Sequence, residues 1–342
     1  MSSLIDRLWY GTGRPLGFLA PLSWIFQAIT ASRRRKAWDA RDEVLPVPVV
    51  VVGNITAGGT GKSPLTARLV AEFRAAGWRP VVLSRGYGGK AAQYPLLVQG
   101  DSEPSQAGDE PVMLARATNT PVVVDPQRRR GAAWALEQGL GDILISDDGL
   151  QHYALPRDIE IAVFDGVRGT GNGALIPVGP LREPVSRLAS VDFVVVNGGD
   201  FEEGGHIESF QGIEHPQIFT MALEPSSLTN LKTGESRPLS DLTGRHVRAV
   251  AGIGNPERFF DTLRSLGAVV EGTAFPDHHD FRASDLDAES GRWVVITAKD
   301  AVKCQGFAKD NVWVFSVQAR LDPEFIGAVL SRIRQDSEQI LS

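Results

Sequence analysis

The sequence has very little cysteine, no surplus of positive charge and no apolar run long enough to cross a bilayer. Cys304 is the single cysteine, so the chain cannot close a disulfide on itself or build a cysteine-rich zinc site, and a reducing, cytoplasmic setting fits it. Lys and Arg number 35 against 41 Asp and Glu. The resulting net charge of -6 gives no general attraction to nucleic acid, which rests on many cations meeting phosphates. The longest apolar stretch, Leu16 to Ile29, is interrupted by Pro21 and Gln27 and falls short of the roughly 20 residues a spanning helix needs. A secretory signal would carry its positive charge before the apolar segment, whereas Arg33, Arg34, Arg35 and Lys36 follow it.

With 342 residues, 42% hydrophobic and 22% charged, the chain has the composition of a folded protein with room for one large core and a second smaller one. The division expected is an N-terminal helical arm over 1–43, a larger domain over 44–220 and a smaller α/β domain over 221–342. Trp9, Phe18, Trp24 and Phe26 beside the basic run suit a helix lying in a headgroup layer, and they suit equally an arm packed on the protein's own core. From Val47 onward, short Val- and Ile-rich runs alternate with helix-like segments, the pattern of a doubly wound, mostly parallel sheet. Strands are expected at Pro48–Val52, Pro80–Ser84, Pro121–Val124, Asp142–Ser146, Ile159–Phe164 and Val191–Val196, with helices after Lys62, near Glu110 and near Gln127. The signal weakens between Gly198 and Arg245. A second set then begins, with strands at His246–Gly252, Val269–Phe275, Trp293–Thr297 and Val312–Val317 and helices at Pro256–Leu266 and Pro323–Arg334.

The segment Val49 to Ser63, VVVVGNITAGGTGKS, carries the strongest chemical signal: a buried strand, a glycine-rich turn and a helix start, which is P-loop architecture. Gly58, Gly59 and Gly61 allow backbone N–H groups to face phosphate oxygens. Lys62 reaches the β and γ phosphates, and the Ser63 hydroxyl meets magnesium. Thr56 stands where the usual first glycine would be, and Thr60 completes the loop. A P-loop calls for an acid at the end of a neighbouring apolar strand, and ILISDD supplies Asp147, the first choice for the metal shell, with Asp148 pointing to the opposite side. Asp109 in GDEP reads as a base for an attacking hydroxyl or as a helix cap, two uses that do not exclude each other. His278 and His279 in FPDHHDF are both candidates to orient such a carboxylate. Arg85 and Tyr87 in SRGYGG and Arg182 with Glu183 in GPLREP form loops suited to anions, while QRRR at Gln127 to Arg130 reads as the solvated first turn of a helix.

A guanine-nucleotide switch would carry an Asn-Lys-x-Asp set, but Asn197 to Asp200 reads NGGD. Partitioning ATPases carry a signature lysine where this chain has Ala57. In order along the chain, GNITAGGTGKSP, LSRGYGG, GDEP, SDDGLQH, GPLREP, FPDHHDF and TAKDAVK resemble the motif series of the tetraacyldisaccharide 4'-kinase family. That resemblance implies transfer of the ATP γ-phosphate to the 4'-hydroxyl of a tetraacylated glucosamine disaccharide 1-phosphate, giving lipid IVA, at the cytoplasmic face of the bacterial inner membrane. It gives Lys62 and Ser63 to ATP and Mg2+, and Asp109 the role of base with His278 as partner and His279 as the fallback. Asp147, Asp148, Gln151, His152, Arg182 and Glu183 become the catalytic surroundings, with Glu183 beside Ser63 and Asp147 at the metal and Arg85, Tyr87, Gln151, His152 and Arg182 on the substrate.

Overall fold

A computed structural model describes residues 4–11, 17–39, 44–198 and 206–341. Leu16 at the start of the apolar run, residues 40–43 at the end of the arm, and Gly199 and Asp200 of NGGD lie outside the described residues. By spatial clustering the chain forms two compact units, one of residues 1–85, 125–222 and 319–342, the other of 86–124 and 223–318. The expected boundaries were 43/44 and 220/221, and the clustering divides the chain after 85, 124, 222 and 318. The segments 86–124 and 319–342, however, group with the unit opposite to the one their sequence neighbours suggest.

The first unit is built on a parallel sheet in the order Pro80–Ser84, Ile143–Ser146, Val49–Gly53, Ile159–Asp165, Phe193–Asn197 and the first part of Ile213–Asn230. Val49–Gly53 sits in the middle, with Val50 level with Ile145 on one side and Ile159 on the other. Its side chains are buried on both faces, which is why the run reads VVVVG without alternation. The helix Lys62–Ala75 returns across the sheet, burying Leu65, Thr66, Leu69, Val70 and Phe73 at the three-to-four spacing of one helical face. Chain order reverses around this central strand, and a ligand of such a sheet binds outside the carboxyl ends of the strands at that reversal.

In the second unit the strands Val269–Ala274, His246–Ala251, Trp293–Thr297 and the first part of Val312–Leu321 lie side by side in parallel, in that spatial order. Phe259, Phe260 and Leu263 from the helix Pro256–Ser265 pack on one face of these strands, and Phe281, Leu286 and Cys304 on the other. An antiparallel pair, Leu96–Val98 with Val122–Val124, flanks the helix Asp109–Thr118.

Among the elements that were not legible in the sequence, two are instructive. The weak-signal region after Gly198 holds an 18-residue strand, Ile213–Asn230, whose pattern is broken by Pro216 and Pro225. Proline cannot donate to a ladder and ordinarily argues against a strand interior. The helix Ala298–Cys304 spans only 7 residues, too few for periodicity to register.

Buried charge is concentrated in one network of the first unit. Arg187 Nη2 donates to both Glu160 carboxylate oxygens at 2.6 and 2.7 Å, and Arg157 Nη1 adds a third bond at 2.7 Å. Burial alone would raise the Glu160 carboxyl, but the two guanidiniums outweigh it and hold it below its ordinary value. A depressed carboxyl contributes stability above its unfolded value, and that contribution is lost as pH falls through the folded value. Glu160→Gln should therefore cost about 3 kcal/mol at neutral pH, because it strands buried cations. Denaturant titration should show the gap to wild type closing as the pH is lowered below about 4.5; a gap that does not narrow would remove this account.

Candidate active site

The P-loop conformation rests on Gly61. It precedes the helix Lys62–Ala75 with φ 94°, and no side chain caps that helix. A Cβ at Gly61 would lie 2.5 Å from the Asn197 side-chain nitrogen, which donates to the Thr60 carbonyl at 3.0 Å. Glycine is thus required both by backbone angle and by space. Asn54, wholly buried, reaches the Thr56 and Thr60 hydroxyls and the Gly58 carbonyl, each at 3.4 Å, while its own Oδ1 accepts no hydrogen bond. The loop is also tied from outside: the Ala57 N–H donates to Pro180 O at 2.7 Å, and the Tyr10 hydroxyl donates to Ala57 O at 3.0 Å.

Lys62, Asp148 and Arg182 meet directly. Lys62 Nζ is 3.6 Å from Asp148 Oδ1, and Arg182 Nη1 lies 3.2 Å from both Asp148 oxygens. Burial pushes the Asp148 carboxyl up, but Lys62, Arg182 and Arg128 overcome it and hold it at about 2, so it stays anionic at any physiological pH. Asp148 takes a left-handed backbone, φ 48°, which an Asp tolerates better than most residues. Asp147 turns the other way and is buried, accepting from the Thr66 hydroxyl at 2.9 Å. The division of the two acids between opposite sides follows the strand geometry.

Arg128 fixes the backbone beneath them, donating to Asp147 O at 2.5 Å and Asp148 O at 2.8 Å. The expected solvated QRRR turn is therefore corrected. Arg128 is buried and Arg130 is paired with Asp125, because the strand-end carbonyls and Asp125 offer acceptors that the sequence could not locate. Glu183, expected beside Arg182 in an open loop, is buried instead. It accepts from Gln151 Nε2 at 2.8 Å and pairs with Arg187 at 3.4 Å, and Gln151 also donates to Asn54 O. Burial, with the cations of Arg128, Arg85 and Arg157, lowers His152 to about 3, so its ring is neutral. Arg85 is exposed at the end of its strand.

In the second unit Asp109 opens the helix Asp109–Thr118. It does not cap it: Gly108 holds the cap position with φ 92°, and no side chain caps that end. The Asp109 carboxylate instead lies 3.2 Å from His278 Nδ1 and 3.4 Å from Lys303 Nζ. His278, in a left-handed conformation with φ 61°, also has Tyr87 against its ring at 5.2 Å. His279 is engaged elsewhere, bonded to Asp285 at 3.1 Å and stacked on Phe275 at 4.2 Å. Lys299 Nζ reaches Glu110 at 3.1 Å, Asp277 at 3.2 Å and His278 Nε2 at 3.5 Å. Burial would lower the Lys299 ammonium, but Glu110 and Asp277 reverse this and raise it. Sequence reasoning named neither lysine, though TAKDAVK spaces them four apart on one helical face.

Among the described residues, no group of three His, Cys, Asp or Glu side chains stands ready to hold a metal alone. A P-loop magnesium takes most of its ligands from phosphate and water, so one hydroxyl and a nearby acid suffice. The uncapped helix start likewise fits a loop shaped for a polyphosphate.

At the other functional helix, a Cβ at Gly108 would fall 2.7 Å from the Tyr87 carbonyl oxygen. Gly108→Ala should cost about 2 kcal/mol from backbone strain and should disturb Asp109 more than the P-loop. Thermal melts and activity at saturating nucleotide would register both effects, and a variant with unaltered stability would refute the strain.

The model of the family described as tetraacyldisaccharide-1-P 4'-kinase matches residues 16–334. A tetraacyldisaccharide 4'-kinase of Vibrio cholerae is 45% identical over 98% of this chain and 98% of its own length. One from Nitrosococcus oceani is 44% identical over 100% of this chain and 97% of its own length. A crystal structure of Aquifex aeolicus LpxK, described as an apo form in complex with ATP, superposes with a TM-score of 0.75 at 31% identity, covering 93% of this chain and 98% of that one. On this agreement of sequence, fold and motif order, the chain belongs to the tetraacyldisaccharide-1-P 4'-kinase family.

Proposed function

We propose that this protein is an ATP-dependent kinase that phosphorylates the 4'-hydroxyl of tetraacyldisaccharide 1-phosphate, forming lipid IVA in lipid A biosynthesis. The observation that carries the reading is the P-loop of the first unit, an uncapped helix start behind Gly61 with Lys62 beside Asp148. Family membership supplies the acceptor. Main-chain amides of Gly58 to Ser63 and the Lys62 ammonium grip the ATP phosphates, and Arg182 is available to the same charge. Ser63 with the Asp147–Asp148 strand end would hold magnesium, which would supply neutralisation of the phosphate charge.

Asp109 accepts the proton of the 4'-hydroxyl while its oxygen forms a bond to the γ-phosphorus and the bond from that phosphorus to the β–γ bridging oxygen breaks, releasing ADP. His278, on Asp109 at 3.2 Å, orients the carboxylate. His279 is not needed for this, since Asp285 and Phe275 already engage it. Arg85, Tyr87, Gln151 and His152 are assigned to the substrate side, His152 as a neutral hydrogen-bonding ring.

The N-terminal arm is the membrane contact in this reading, on the cytoplasmic face of the inner membrane. No helix among the described residues is long and apolar enough to cross a membrane. The helix Ala20–Asp39 presents Phe18 from the turn before it and its own Leu22, Trp24, Ile25 and Ile29 to solvent, at 47% to 77% exposure, with the basic cluster further along the same helix. Ser23 on that helix is buried and bonds to Leu175 O at 3.0 Å, so one side docks on the protein while apolar side chains remain uncovered. Exposed apolar surface of this kind marks a contact with lipid or another chain.

Incubation of the protein with magnesium ATP and tetraacyldisaccharide 1-phosphate should yield a product one phosphate heavier by mass spectrometry, and nucleotide turnover without such a product would overturn the proposal. Lys62→Ala should abolish most of this conversion while leaving the melting temperature nearly unchanged. Asp109→Ala should lower kcat by roughly a hundredfold or more with little change in KM. Removal of the arm before Val44 should weaken sedimentation with anionic vesicles; equal binding of both forms would count against a lipid-docked arm.

A further inference from the structure

The helix Ala298–Cys304 packs against the helix that carries Asp109, and Lys303 is the residue it brings to that carboxylate. Only 10% of the Lys303 side chain is exposed. Its ammonium hangs between Asp109 Oδ2 at 3.4 Å and Asp300 Oδ1 at 3.7 Å, over the Phe281 ring at 5.2 Å, and makes no well-formed hydrogen bond. Asp300 is completely buried and already accepts from the Thr297 hydroxyl at 2.7 Å and the Gly252 N–H at 3.1 Å. Burial pushes the Asp300 carboxyl up from its ordinary value.

A buried ammonium without good hydrogen bonds is an expensive way to stabilise a fold, since an apolar side chain of similar volume commonly serves as well or better. Its position calls for another reason, and the nearer of its two carboxylates is Asp109. We propose that Lys303 is a positioning residue for Asp109, holding that carboxylate in place against His278. The proposal rests on the reading of Asp109 as the base. The charged groups around the pair are few: Asp109 faces His278 and Lys303, Lys303 faces Asp109 and Asp300, and His278 faces Asp277 and Lys299. Lys299 is itself held by Glu110 and Asp277.

The test is the pH dependence of kcat/KM between about pH 5 and 9 for the full chain with magnesium ATP and tetraacyldisaccharide 1-phosphate, compared across wild type, Lys303→Met, Lys303→Arg and Asp109→Asn. Removing a neighbouring cation disfavours the ionised carboxylate, so Lys303→Met should move the acid limb upward by about one pH unit and lower kcat about tenfold at pH 7, with KM for ATP unchanged. Lys303→Arg should restore most of both. An acid limb for Lys303→Met that coincides with wild type overturns the proposal whatever the rate. If Lys303→Met does not fold, the double variant Lys303→Met, Asp300→Asn removes both members of the buried pair, and the same comparison decides. Should Asp109→Asn keep wild-type turnover, the base reading fails and the lysine assignment falls with it. Should Asp109→Asn collapse turnover while the limb stays fixed without Lys303, only the lysine assignment falls.

Discussion

Both functional helices begin behind a glycine that supplies no capping side chain. Gly61 at φ 94° precedes Lys62, and Gly108 at φ 92° precedes Asp109. Serine, threonine or aspartate caps many helix starts and is worth about 1 kcal/mol there, but at these two positions φ is positive and a Cβ would clash, so only glycine fits. Here that gain is forgone, and the positive end of the Lys62 helix is left to a ligand. The rest of the first unit can be understood as support for that choice. Asn54 and Asn197 pin the loop from the sheet side, and Pro180 and Tyr10 pin it at Ala57.

Charge is handled differently in the two units. Glu160, Arg157 and Arg187 form a closed, well-bonded set whose geometry repays burial. Around Asp109 the contacts are longer, 3.2 to 3.7 Å, and the ammonium of Lys303 lacks a good hydrogen bond. Left-handed backbones at Asp148 and His278 add local strain at the same places. Bonding is thus tight in the closed set of the first unit and loose around Asp109, the residue proposed as the base.

Much of this was visible in the residues. The P-loop and the strands Pro80–Ser84 and Trp293–Thr297 stand where periodicity and glycine placement put them. What remained hidden depended on tertiary partners. Whether Asp109 caps its helix or faces a histidine was undecidable until Gly108 proved to hold the cap position and His278 lay within reach. Choosing between His278 and His279 needed the position of Asp285 and Phe275. Arg128 looked like surface charge because its acceptors are main-chain carbonyls, which leave no trace in a sequence. Ile213–Asn230 was obscured by prolines, whose cost in a strand is decided by pairing and not by composition.

The contact of Lys62 with Asp148 has a bearing on selectivity among anions. At 3.6 Å from a carboxylate held at about 2, the loop lysine is already neutralised. Chloride or orthophosphate, arriving with one or two charges, must compete with that internal counter-ion for a cation that costs nothing to leave in place. In the proposed reading a triphosphate would meet the lysine, the backbone amides and Arg182 together, and only such a multiply charged guest would gain enough to part the pair. The acid thus acts as a threshold, turning an open anion trap into one that discriminates by total charge.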